Sequence, residues 1–88
     1  MQHLHAEVDV PAGHVVVVEL DQAANVLLLD TGGYSCYQNG QSFRYYGGLA
    51  KVSPVILRPP YPGHWHVVID LGGGGGLIRH SISIQRSR

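Results

Sequence analysis

The chain carries six histidines in 88 residues. Four of them form two His-x-His pairs: His3 and His5 in "HLH", His64 and His66 in "HWH". Imidazole is a general acid or base near neutral pH and a ligand for zinc and other divalent transition metals. On a β-strand, residues i and i+2 project to the same face. Each pair would therefore present two rings side by side, with Trp65 thrown to the opposite face together with Val67, Ile69 and Leu71. If the two strands were neighbours, four imidazoles would converge. Glu7, Asp70 or Cys36 could then complete a zinc set of four donors. The plainer reading is that these are half-exposed strand histidines, hydrogen-bonded to backbone or tyrosines. The expectation is no cofactor. The alternative is zinc or another divalent metal at His3, His5, His64 and His66, in a metal-binding protein that extends at most to a metal-dependent hydrolase.

A second constellation lies in "SFRYYGGLAK", residues 42–51. Arg44, Tyr45, Tyr46 and Lys51 bring two cations and two rings around Gly47 and Gly48, and Tyr37 adds a further phenol. A guanidinium grips phosphate or carboxylate in two bonds, aromatic rings stack on sugars or bases, and glycine allows close backbone approach. This region is the preferred ligand-binding set. The structural alternative is that the tyrosines are ordinary strand residues and that Arg44 pairs with Asp30 or Asp70.

Two further motifs lose on context. The five glycines at 72–76 lead into "LIRHSISI", which alternates with period two. A phosphate-cradling loop needs a helix N-terminus there, so a connection between two strands is expected instead. Cys36 could serve as a nucleophile beside a histidine, but no elbow motif accompanies it, and a lone cysteine is usually a small buried hydrophobe. Glu7 and Asp9 share a strand face, which adjacent acids commonly occupy as its solvated side.

The elements that must position these residues are short and β-like. Residues 3–10 alternate, with Leu4, Ala6, Val8 and Val10 on one face and His3, His5, Glu7 and Asp9 on the other. "HVVVVEL" at 14–20 predicts a strand buried on both faces, after a "PAG" turn. "DQAAN" at 21–25 predicts a connection and "VLLLD" at 26–30 another buried strand. Asp30 or Thr31 can cap a short helix that places Tyr34, Tyr37 and Gln38 on one face, and Asn39-Gly40 ends it. "SFRYY" at 42–46 suits a strand or an extended loop, and Gly47-Gly48 a turn or bulge. "VSPVILR" at 52–58 is a strand whose Pro54 suggests an edge. "HWHVVIDL" at 64–71 and "LIRHSISIQ" at 77–85 complete the set. The fold class expected is all-β: one domain over residues 1–88, a small sandwich or partly open barrel of six or seven mostly antiparallel strands with one short helical turn.

Composition bounds the rest. Hydrophobic residues make up 44% of the chain and charged residues 14%, and six basic residues balance six acidic ones. A nucleic-acid protein normally shows a basic excess, and an anionic membrane surface attracts one, so neither partner is expected. Near-zero net charge permits self-association, and a homo-oligomer is one possibility. A single cysteine excludes an internal disulfide, and the N-terminus lacks the pattern of a secretory signal, which together point to the cytoplasm.

"MQHLH", "AANVLLLD", "RYYGGLAKVSPVILRPP" and "GHWHVVIDLGG" together resemble a family of short bacterial proteins known only as a domain of unknown function, the one numbered eighteen eighty-three. The resemblance runs over roughly residues 1–85. It implies a compact, mostly β domain that stands alone or serves as an accessory to a TIR domain, and it implies no catalytic residues. The unbroken run Gly72 to Gly76 departs from the family's pattern, which speaks against an essential side chain in that loop. The expected function is a non-catalytic binding or interaction module. It would take a small anionic or sugar-containing ligand, or a protein domain, at the Arg44–Lys51 region.

Overall fold

The computed structural model describes residues 3–71 and 78–87. Seven strands and one helix follow in the order β1 (Leu4–Val10), β2 (His14–Leu20), β3 (Ala24–Leu29), α1 (Thr31–Gln38), β4 (Tyr46–Ala50), β5 (Val55–Leu57), β6 (Gly63–Asp70) and β7 (His80–Arg86). They form two antiparallel sheets. The first has four strands in the order β1-β6-β3-β4, the second three in the order β5-β2-β7. Among the described residues no strand joins one sheet to the other by hydrogen bonds, so the fold is a sandwich and not a closed barrel.

Alternation sets the core. Val8 and Val10, Trp65, Val67 and Ile69, and Val26 and Leu28 point inward from the first sheet, against Val16, Val18, Leu57, Ile82 and Ile84 from the second. The directly paired residues Val8–Trp65, Ala6–Val67 and Val26–Ile69 show that these sets share one face. The outer faces of the two sheets differ. On the first, Leu27, Leu29 and Val68 form a smaller cluster covered by Tyr34, Tyr37 and Phe43. On the second, Val15 and Val17 are each 7% exposed. Arg58, beyond β5, donates to Ser87 Oγ, beyond β7, at 2.8 Å. Since β2 lies between those strands, this bond spans it.

The helix is set by its ends. Asp30 Oδ1 accepts from Gly33 N as the N-cap. At the other end Gln41 N donates to Cys36 O at 2.9 Å and Gly40 N to Tyr37 O at 3.3 Å, with Gly40 at φ +71°. That is the paired terminus expected from Asn39-Gly40.

Several boundaries move. β3 begins at Ala24, inside the stretch expected to be a connection, because Ala24 pairs with Ala50 across to β4. Residues 42–45 are an extended loop, and Gly47 and Gly48 lie within β4 instead of forming a turn. The 52–58 strand shrinks to Val55–Leu57 and does lie at a sheet edge. Ser53 Oγ ties this corner to β2 by accepting from Leu20 N at 2.9 Å. β7 begins at His80, and the glycine run at 72–76 falls outside the described residues. Among the described residues no helix is long and apolar enough to cross a membrane.

Candidate functional site

The first candidate surface is the outer face of β1 and β6. These strands lie side by side, with Glu7 opposite His66, Asp9 opposite His64 and His5 opposite Val68. His5 is therefore on the strand beside His64 and His66 and on the same face, and His3 lies just before β1.

His66 is the fixed point. It is 5% exposed, and both its ring nitrogens are engaged: Nε2 lies 3.1 Å from Thr31 Oγ1 and Nδ1 lies 2.7 Å from His5 Nε2. The His5 and His66 rings are 7° from parallel with centroids 5.0 Å apart. With adjoining nitrogens, that means two imidazoles edge to edge in nearly one plane. Tyr34 from α1 lies parallel over both, 3.9 Å from His5 and 4.9 Å from His66. His3 turns away from this pair toward the helix, with Nε2 3.2 Å from Tyr34 Oη and its ring edge-on to Tyr37.

His64 is exposed and bound by two carboxylates, Nδ1 to Asp9 Oδ1 and Nε2 to Glu7 Oε1, each at 2.9 Å. Among the described residues, Glu7, His64 and His66 form the one group of metal-capable side chains with a donor atom each within 4.8 Å of the others. Asp70 and Cys36 do not join it. Asp70 accepts from Tyr37 Oη at 2.8 Å, and Cys36 is half-buried on α1. The sequence reading missed Thr31 and Tyr34 as members of this face, and it took Asp9 only as part of the solvated side of the strand. Thr31 and Tyr34 are one helical turn apart on the helix that follows β3, a spacing that puts both on one side.

Environment sets the charges. Burial holds His66 below the usual imidazole value, helped by the neighbouring His5. Hydrogen bonds donated to Asp9 and then to Glu7 raise His64, and the His64 bond lowers Glu7. Burial and the Asp70 bond push Tyr37 up to about 12, so its phenol stays protonated. His66 takes up a proton less readily folded than unfolded, so its share of stability is present above about pH 6.5 and is lost as pH falls toward its lowered folded value. His64 acts in the opposite sense, its share being present below about pH 6.5 and lost as pH rises through the raised value. Because His64 is exposed, solvent screens that share, and His66 dominates. The expected result is a melting temperature that drops between about pH 7 and about pH 5.5, with a smaller drop in His66→Gln. Thermal melts by circular dichroism at matched ionic strength test this, and equal drops in the two proteins would refute it.

The second candidate surface is where β4 and β5 meet. Among the described residues each is the last strand of its sheet, so each presents one edge without a hydrogen-bonded neighbour, and the chain turns from one sheet to the other between them. The corner forms an open cleft of about 450 Å³ lined by residues 46–52 and 54–58. Three large apolar side chains are exposed in it: Leu49 is 62% exposed, Val52 79% and Ile56 53%. Lys51 and Arg58 are its only charged residues. Of the predicted ligand-binding set, Tyr46, Gly47, Gly48 and Lys51 line this cleft. Arg44 and Tyr45 are exposed on the loop before it. Tyr37 is elsewhere, on α1 against Asp70.

Comparison with known proteins finds no match among curated proteins or solved structures. The family profile described as "Domain of unknown function (DUF1883)" does match, over residues 1–88. The chain, with its two-sheet sandwich and its histidine-bearing outer face, therefore belongs to the DUF1883 family.

Proposed function

We propose that this protein is a non-catalytic interaction module whose β4–β5 cleft receives an extended segment of another protein. One observation carries the reading: among the described residues, two strand edges without a hydrogen-bonded neighbour flank a cleft in which the large apolar side chains Leu49, Val52 and Ile56 are exposed. An open edge offers backbone N–H and C=O groups to an added strand, and an apolar groove beside it selects alternate side chains. Exposed apolar residues that cluster, rather than scatter, mark interaction surfaces. Lys51, with no carboxylate in the lining, favours a partner that combines apolar residues with acidic ones. A small anionic or sugar ligand fits less well, since Tyr46 is the one aromatic ring in the cleft and Arg44 lies outside it. A role as accessory to a TIR domain suits such a module.

Panning a random peptide library against the purified protein tests this. The expected winners alternate apolar and acidic residues. On binding they perturb amide resonances of residues 46–58, and Leu49→Asp weakens them by about tenfold or more. Failure to enrich any peptide, or perturbations mapping to β1 and β6, would refute the reading. So would self-association that Leu49→Asp abolishes, since the cleft would then belong to a second copy of the chain.

A further inference from the structure

We propose that the outer face of β1 and β6 binds one divalent first-row transition metal ion through Glu7, His64 and His66. The site is built from opposed positions on two antiparallel strands, so the backbone register itself holds the donors together. Glu7, His64 and His66 already have donor atoms within 4.8 Å of one another. A tetrahedral ion with bonds of about 2.0–2.2 Å places its donors roughly 3.4 Å apart. Glu7 and His64 have side chains 57% and 44% exposed, so they are free to close that gap by rotation.

The supporting contacts also match what a metal needs. A ligating histidine normally has its second nitrogen held by an acceptor, which fixes the tautomer and the ring. His64 has that arrangement: Asp9 holds Nδ1, leaving Nε2 facing Glu7. So does His66: Thr31 Oγ1 holds Nε2, leaving Nδ1 facing His5 Nε2. Tyr34 packs flat over the His5–His66 pair and keeps both rings in place. Glu7 and His64 meet across a single hydrogen that an ion would displace, and His66 supplies the third donor. Two nitrogens and one carboxylate oxygen suit zinc and its first-row neighbours, not calcium or magnesium. Three protein donors leave the fourth position of a tetrahedral ion to water or a ligand. His3, which faces the tyrosines, is no part of it.

The test uses the untagged full chain and zinc ions alone, by equilibrium dialysis with metal analysis, and cobalt(II) as a spectroscopic probe. The expected result is one zinc per chain and a tetrahedral cobalt spectrum. Glu7→Gln and His64→Ala replace exposed side chains and should keep the native circular dichroism while weakening zinc binding on the order of a hundredfold. Asp9→Asn, which removes only the second contact of His64, should weaken it about tenfold. His14→Ala and His80→Ala, on the other sheet, should leave it unchanged. The proposal is overturned by a wild-type protein that binds no stoichiometric metal, by binding that survives both Glu7→Gln and His64→Ala, or by equal loss in His80→Ala. Because β4 and β1 are the opposite edges of the first sheet, a failed peptide screen and a failed metal titration report on separate surfaces.

Discussion

Trp65→Ala is expected to destabilise the protein by about 3–5 kcal/mol. A domain of this length has roughly 5–10 kcal/mol in total, so the variant would lie near its unfolding threshold. Trp65 is 1% exposed and the largest buried side chain. It packs against Tyr61 at a centroid distance of 4.9 Å and edge-on to Tyr46 at 5.9 Å, and its indole donates to the Tyr61 carbonyl at 3.1 Å. Truncation leaves a void between the two sheets that the surrounding strands cannot fill by collapsing. The consequence reaches the opposite face. In an antiparallel pair a slip of one residue exchanges inside for outside. The burial of Trp65 opposite Val8 pins the β1–β6 register, and that register is what puts Glu7 opposite His66. Trp65→Phe, which keeps the ring but not the hydrogen bond, is expected to lose only about 1–2 kcal/mol. Urea denaturation followed by far-ultraviolet circular dichroism checks both, since the single tryptophan is itself removed. A Trp65→Ala protein within about 1 kcal/mol of wild type would show that the two sheets are not held together there.

The same alternation explains how much of this molecule is legible in its sequence. Period-two patterning in residues 3–10 and 64–71 is enough to say that Trp65 faces the core and that His5, Glu7, His64 and His66 face outward. It also locates the helix, because Asp30 and Asn39-Gly40 are local signals read by local hydrogen bonds. Strand order is another matter. His5 and His66 are 61 residues apart, and their meeting depends on β6 lying between β1 and β3, which no local pattern encodes. The "SFRYYGGLAK" stretch divides in space: Tyr46, Gly47, Gly48 and Lys51 line the β4–β5 cleft, Arg44 and Tyr45 stand exposed on the loop before it, and Tyr37, on α1, is held against Asp70. What the stretch does mark is an edge. Leu49, Val52 and Ile56 stay exposed because β4 and β5 each have only one neighbour. That is a property of the assembled sheets.

Gly47→Ala is expected to destabilise by at least about 3 kcal/mol and to remove peptide binding with it. Gly47 and Gly48 adopt φ +111° and +141°, both in the region that L side chains rarely occupy. The two positions are otherwise unlike. A Cβ at Gly47 would overlap the Val26 carbonyl oxygen and press on Leu57 Cδ2 at 3.1 Å, whereas a Cβ at Gly48 would meet nothing within 4 Å. At Gly47 the β3 backbone thus occupies the space a side chain would need, with a core leucine of the second sheet also against it. Alanine there must push β4 off β3, which distorts the strand edge that forms one wall of the cleft. Gly48→Ala carries the conformational strain without the overlap, and a loss of about 1–2 kcal/mol is expected. Thermal melts of the two variants separate strain from collision. Peptide titrations then separate stability from function: Gly48→Ala should still bind, because its edge remains in place, and Gly47→Ala should not, even at a temperature where it is folded. Equal losses in the two variants would mean that backbone conformation alone, and not the close approach to Val26, fixes the glycine at position 47.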